Sequence, residues 1–190
     1  MKQIVFWTRQ IGWLPSYNPC REKQAQEVLE TAYKEGIRMY DTAPIYGNGK
    51  SELLLGKYLW EQRKNIEIIS KFGFDMQKNG ENIFNFSPDG IQKQLEGSLQ
   101  RLKTNFIDIY LLHIPDNLLD VSSILSTLNS LKKQGIIKKY GLCNTYAEQL
   151  QAFLKHPLSE IEYIEDFYNI IERKAEKSIL KDTTLRKYIW

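Results

Sequence analysis

Six short apolar runs punctuate the chain at Ile4–Trp7, Ile37–Tyr40, Ile66–Ser70, Phe106–Leu112, Ile136–Leu142 and Ile161–Ile164. Each is rich in β-branched or aromatic residues and bounded by Gly, Asn, Asp or Pro, so each reads as a buried strand. Between them the apolar period lengthens. Ala25, Val28, Leu29, Ala32 and Tyr33 share one helical face, and Ile91, Leu95, Leu99 and Leu102 share another. Weaker helical patterns carry Leu125, Leu128 and Leu131, then Ala147, Leu150 and Leu154, and last Ile171, Ala175 and Ile179. Punctuation agrees: Ser87-Pro88-Asp89 sets a capping serine before a first-turn proline, and Gly36 and Gly135 stand where helices should stop. Strand and helix alternate about every 30 residues, which predicts βα crossovers and a parallel sheet, either a closed barrel or an open doubly wound sheet.

The long loop from Phe72 to Phe86, F-G-F-D…N-I-F-N-F, mixes aromatic and polar residues. It reads either as a substrate-binding loop at a strand's carboxyl end or as a solvated surface loop.

With 190 residues, 42% of them hydrophobic, the chain can bury a sizeable core, and one domain over residues 1–190 is expected. Lys plus Arg number 26 against 23 Asp plus Glu, scattered without runs, so neither nucleic acid nor an anionic membrane is suggested as partner. A neutral or mildly anionic small molecule fits better. Cys20 and Cys143 lie far apart with no metal-like spacing. That predicts a reducing compartment, no disulfide framework and no metal centre. The apolar run before Arg9 is too short for a signal peptide and no stretch is long enough for a membrane span, so a soluble cytoplasmic protein is expected.

Candidate chemistry gathers at the predicted strand ends. Asp41 and Tyr46 follow the second strand within D-T-A-P-I-Y-G-N-G-K-S-E, Lys71 follows the third, and His113 the fourth. Taken singly, each has a structural explanation as a cap, packed aromatic, solvated tip or satisfied histidine. Together they suggest more. A lysine ending so apolar a strand calls for a carboxylate, and Asp41 on the neighbouring strand can supply it. An ammonium beside a phenol favours the phenolate, so Tyr46 is expected to have a lowered pKa and to act as a general acid for carbonyl reduction.

That segment, followed by I-I-S-K-F-G, S-L-Q-R-L-K-T-N-F-I-D-I-Y-L-L-H-I-P-D and G-I-I-K-K-Y-G-L-C-N, resembles the aldo-keto reductases in order and spacing, from about Gln24 to Glu176. The resemblance implies a (β/α) TIM-type barrel using NADP(H), with Tyr46 as proton donor, Lys71 and Asp41 tuning it, and His113 orienting the carbonyl oxygen or relaying the proton. It also implies a small-molecule carbonyl or alcohol substrate. Asp41, Asn144, Cys143, Glu165 and Thr8 fall at cofactor-contacting positions. Cys143 replaces the family's usual Ser and Glu165 its usual Gln, and Trp7-Thr8 stands where a Gly-Thr pair is common, which brings an indole towards the nicotinamide position.

The sequence shows about six of eight βα units, since it stops at Lys187-Tyr188-Ile189-Trp190. An incomplete barrel is therefore expected, with open edges that invite a homo-oligomer. Two alternatives remain: a truncated, non-catalytic remnant or binding module with impaired cofactor binding, and a flavodoxin-like sheet with no reductase role.

Overall fold

The computed structural model describes residues 4–12, 21–76, 81–116, 119–177, 180 and 185–189. In chain order its strands and helices are β1 (Val5–Trp7), α1 (Arg9–Gly12), α2 (Glu22–Lys34), β2 (Met39–Asp41), α3 (Lys50–Tyr58), β3 (Glu67–Phe72), β4 (Phe74–Met76), β5 (Asn82–Phe84), α4 (Pro88–Leu102), β6 (Ile107–Leu112), α5 (Val121–Lys133), β7 (Ile137–Cys143), α6 (Ala147–Leu154), β8 (Tyr163–Asp166) and β9 (Arg186–Ile189). Short 3₁₀ turns follow α3 and β8.

The main sheet is parallel, in the order β1-β2-β3-β6-β7-β8-β9. Strands added always on the same side, with no reversal, exclude a doubly wound sheet and wind into a barrel. Val5 of β1 and Tyr188 of β9 pack against one inner cluster of Met39, Ile69, Ile109, Leu111, Cys143 and Tyr163. The two edge strands therefore approach each other across a near-closed barrel, and its unsealed seam lies between them.

The strand period of two explains the layering. Tyr40, Ile68, Tyr110, Leu112, Tyr140, Leu142 and Ile164 face outward, where the amphipathic helices bury Leu29, Leu55, Leu95, Leu125 and Leu150 against them. Burying each such side chain contributes roughly 1.5–3 kcal/mol. Helix ends behave as the sequence suggests: Gly90 N donates to Ser87 Oγ at 3.1 Å, and Gly36 and Gly135 take φ values of 91° and 76° just past α2 and α5.

Two expectations are corrected. A seventh strand is present: β9 pairs in parallel with β8, and its Tyr188 stacks on Tyr163 with ring centroids 5.6 Å apart. Only four residues long and mixed in polarity, it carries no apolar run by which to be recognised. The last expected helix does not form at Ile171, which is 91% exposed; a 3₁₀ turn, Lys174–Lys177, buries Ala175 instead, and Ile179 lies outside the described residues. The Phe72–Phe86 loop folds partly into an antiparallel hairpin of β4 and β5. Among the described residues no helix is long and apolar enough to cross a membrane.

Candidate active site

The inward alternation of the strands ends, at their carboxyl ends, in a layer of polar side chains. Trp7, Asp41, Lys71, Cys143 and Glu165 come from β1, β2, β3, β7 and β8, with Trp7 level with Asp41 and Cys143 level with Glu165 in the ladder. His113 follows β6 directly. A parallel barrel thus converts residues up to 158 positions apart, Trp7 and Glu165, into neighbours of one site.

Tyr46 enters from the loop between β2 and α3. Gly47 and Gly49 hold φ of 62° and 83°, and a Cβ on Gly47 would stand 1.5 Å from the Gly12 carbonyl oxygen, so the tight turn requires glycine there. Gly49 N donates to Pro44 O at 2.7 Å and Ser51 N to Tyr46 O at 3.2 Å. Beneath the loop, Thr8 Oγ1 donates to Asp41 O at 2.7 Å and lies 2.6 Å from Ser51 Oγ, which also lies 2.9 Å from Thr42 Oγ1. Glu52, fully buried, accepts from Ser70 Oγ and from Arg101 Nε, both at 2.7 Å. The Thr8 hydroxyl is thereby committed to holding the loop.

Lys71 is the hub. Its side chain is 0% exposed; Nζ forms an ion pair with Asp41, lies 3.3 Å from Glu165 Oε1, and donates to the Thr42 carbonyl at 3.3 Å and to the Tyr46 hydroxyl at 3.4 Å. Three ammonium protons therefore serve four oxygens. Trp7 Nε1 also donates to the Tyr46 hydroxyl, at 3.1 Å. The phenol oxygen is thus an acceptor on two sides.

The expected direction of the Tyr46 pKa is reversed. It is pushed up to about 12, because burial disfavours the phenolate more than the Lys71 cation favours it, and the Asp41 and Glu165 carboxylates oppose that cation. Burial raises Asp41 well above the usual carboxylate range against the pull of Lys71, and Glu165 adds to the rise. The Lys71 ammonium is raised well above its ordinary value: its two carboxylates outweigh the largest single effect, burial, which acts the other way. His113 is only 5% exposed and its ring meets Tyr46 edge-on at 5.8 Å and Phe74 at 5.9 Å. Burial, with Lys71 and Arg9 nearby, holds its imidazole well below the ordinary value and so neutral.

Asn144, at φ 52°, donates from Nδ2 to the His113 carbonyl at 3.2 Å and to Cys143 Sγ at 3.0 Å, while its buried Oδ1 has no partner among the described residues. Cys143 Sγ donates to Glu165 Oε1 at 3.4 Å, and burial pushes its thiol pKa up. Cys20 lies outside the described residues. No cluster of metal-ligating groups occurs among the described residues.

A barrel of parallel strands whose carboxyl ends gather an Asp, Tyr, Lys and His defines the class. The sequence profile of the Aldo/keto reductase family matches residues 3–187, and the chain belongs to that family. It is 34% identical over 161 residues to the aldo-keto reductase YhdN of Bacillus subtilis, covering 84% of this chain and 48% of that protein. It is 31% identical over 196 residues to the NADH-specific methylglyoxal reductase of Escherichia coli, covering 95% of this chain and 59% of that one. The aldo-keto reductase yakc [NADP(+)] of Schizosaccharomyces pombe is 28% identical over 175 residues, covering 90% and 52%. Among solved structures, the holo form of aldo-keto reductase AKR11C1 from Bacillus halodurans superposes with a TM-score of 0.88 at 25% identity, covering 98% of this chain and 61% of that one. The chain spans about half the length of the curated relatives it matches.

Sequence reasoning underrated two residues. Trp7 proves to be a hydrogen-bond donor to Tyr46, and Glu165 a second counter-ion of Lys71. A signal existed for the second: an acid within the buried run Tyr163-Ile164-Glu165-Asp166 demands a partner.

Proposed function

We propose that this chain carries the proton-donating centre of an NADP(H)-dependent aldo-keto reductase, which reduces an aldehyde or ketone carbonyl to an alcohol or runs the reverse reaction. One observation carries the reading: the Tyr46 oxygen accepts from both Lys71 and Trp7, so its own proton is left to be given outward. When bound, a reduced nicotinamide dinucleotide supplies the hydride to the carbonyl carbon. Tyr46 delivers its proton to the carbonyl oxygen as charge builds there, and the resulting phenolate stays within reach of the Lys71 ammonium and the Trp7 indole N–H. Neutral His113 orients the carbonyl oxygen, and its T-shaped contact with Phe74 places an apolar wall beside it.

The residues fit the cofactor in part. Asn144 Oδ1 is an acceptor suited to a carboxamide N–H, and Asp41 Oδ1 is a second buried acceptor; neither has a partner among the described residues. Cys143 and Glu165 lie beside them. A second reading, a reductase fold with the catalytic corner but poor hold on the dinucleotide, is favoured by Glu165, since a carboxylate accepts but cannot donate as an amide does. The test is turnover of Tyr46→Phe with an aromatic aldehyde, followed as loss of reduced-cofactor absorbance with NADPH and with NADH. The rate should fall at least about 10²-fold, the low end for a general acid; undiminished turnover overturns the assignment.

A further inference from the structure

Glu165 does more in this site than stand beside Asn144. Its carboxylate is 3% exposed and reaches Lys71 from β8, while Asp41, equally enclosed, reaches it from β2. The Lys71 ammonium thus stands between two buried acids from opposite strands of the site. With one carboxylate alone, the pair would be neutral and the Lys71 cation would be the nearest charge acting on the phenol. The second carboxylate weakens that pull.

Resting on the reading of Tyr46 as proton donor, we propose that Glu165 is a positioning residue: it holds Lys71 as a second counter-ion and offsets the ammonium's pull on the Tyr46 phenol, adding to burial in holding the proton there. A donor that holds its proton serves carbonyl reduction, whereas alcohol oxidation starts from the phenolate, so Glu165 biases the site towards reduction. The other groups facing Tyr46 do not substitute for it. Trp7 from β1 donates a neutral hydrogen bond, His113 after β6 is neutral, Cys143 from β7 holds its thiol proton, and Arg9 of α1 is a cation acting on His113. Among the described residues, Asp41 is the other carboxylate acting on the phenol.

The inference is tested on the protein without cofactor. Tyrosine labelled with ¹³C at Cζ is titrated by NMR, and the Tyr46 signal is assigned by its loss in Tyr46→Phe. In the wild-type protein the Tyr46 signal should not titrate below about pH 11, as burial and two carboxylates oppose one cation; a midpoint below the ordinary tyrosine value of about 10 overturns the proposal. Glu165→Gln should lower the midpoint by roughly one unit, since its charge reaches the phenol across Lys71 and acts on it less strongly than Lys71 or Asp41 does. Glu165→Met should move it the same way, and Glu165→Asp, which keeps the charge, should leave it within about 0.3 unit. Equal midpoints in wild type and folded Glu165→Gln overturn the proposal, and Glu165→Met is the second charge-removing variant, whose unmoved midpoint overturns it as well. Because no turnover is read, a protein with this titration but no reductase activity would sink the functional reading and leave the role of Glu165 standing.

Discussion

Lys71→Met is the most informative perturbation of stability. The lysine side chain is 0% exposed and those of Asp41 and Glu165 are each 3% exposed, so its removal leaves two carboxylates buried without a cation. Breaking a buried pair by deleting one partner costs about 3–5 kcal/mol, and the upper end is expected here because two acids lose their counter-ion. The cost is capped by proton uptake, since holding a carboxyl neutral three units above its reference corresponds to about 4 kcal/mol. With a urea m-value of about 2–3 kcal/mol/M for a domain of this size, the midpoint should fall by roughly 1.5–2 M. The sign with pH follows from linkage. In Lys71→Met the folded-state pKa values of both acids lie above their unfolded values near 4, so the folded state binds more protons in that window. The deficit is then full above the folded pKa values and shrinks as pH falls towards about 4. Urea unfolding at pH 8 and pH 5, followed by far-ultraviolet circular dichroism, reads both quantities. A loss below about 1 kcal/mol at pH 8, or a deficit the same at both pH values, would refute the buried-triad account.

Because reduction needs Tyr46 protonated and its pKa is pushed up to about 12, kcat for carbonyl reduction should show no basic limb below about pH 10; halving of the rate between pH 7 and 9 in folded protein contradicts this. His113, held well below its ordinary value, should likewise add no acid limb above pH 6.5. Binding of NADPH, measured by quenching of tryptophan fluorescence, should be weak, on the order of tens of micromolar or worse, because Glu165 cannot donate where an amide would; a sub-micromolar constant would show that other residues supply the hold. The 190-residue chain should self-associate, since among the described residues β1 and β9 end the sheet without a further strand paired to them; a monodisperse monomer by light scattering with a sharp thermal transition would show that the seam seals itself.

The strands with strong apolar runs were legible to within two or three residues, because a buried parallel strand and an amphipathic helix impose different periods on the same alphabet. β9 was not, since in Arg186-Lys187-Tyr188-Ile189 charged residues stand beside the Tyr188 that packs on the inner cluster, and its pairing is tertiary. The exposed Ile171 misled in the opposite way, completing with Ala175 and Ile179 the spacing of a helical face that does not form there. At the site, the position of Asp41, Lys71 and His113 at strand ends announced that they converge, and the loop glycines announced how Tyr46 joins them. The direction of the Tyr46 pKa could not be read: it depends on burial against Lys71, and on a carboxylate 119 positions further along the chain from Tyr46, at Glu165, that only closure of the barrel brings near.

The central claim, that Tyr46 gives the proton in a carbonyl reduction, is tested most directly by the product itself. Benzaldehyde is incubated with saturating NADPH or NADH and either wild-type protein or Tyr46→Phe, and benzyl alcohol is quantified by gas chromatography. The account predicts alcohol from the wild type and at least about 10²-fold less from Tyr46→Phe. Equal amounts from the two proteins, or none from the wild type with either cofactor, would contradict it.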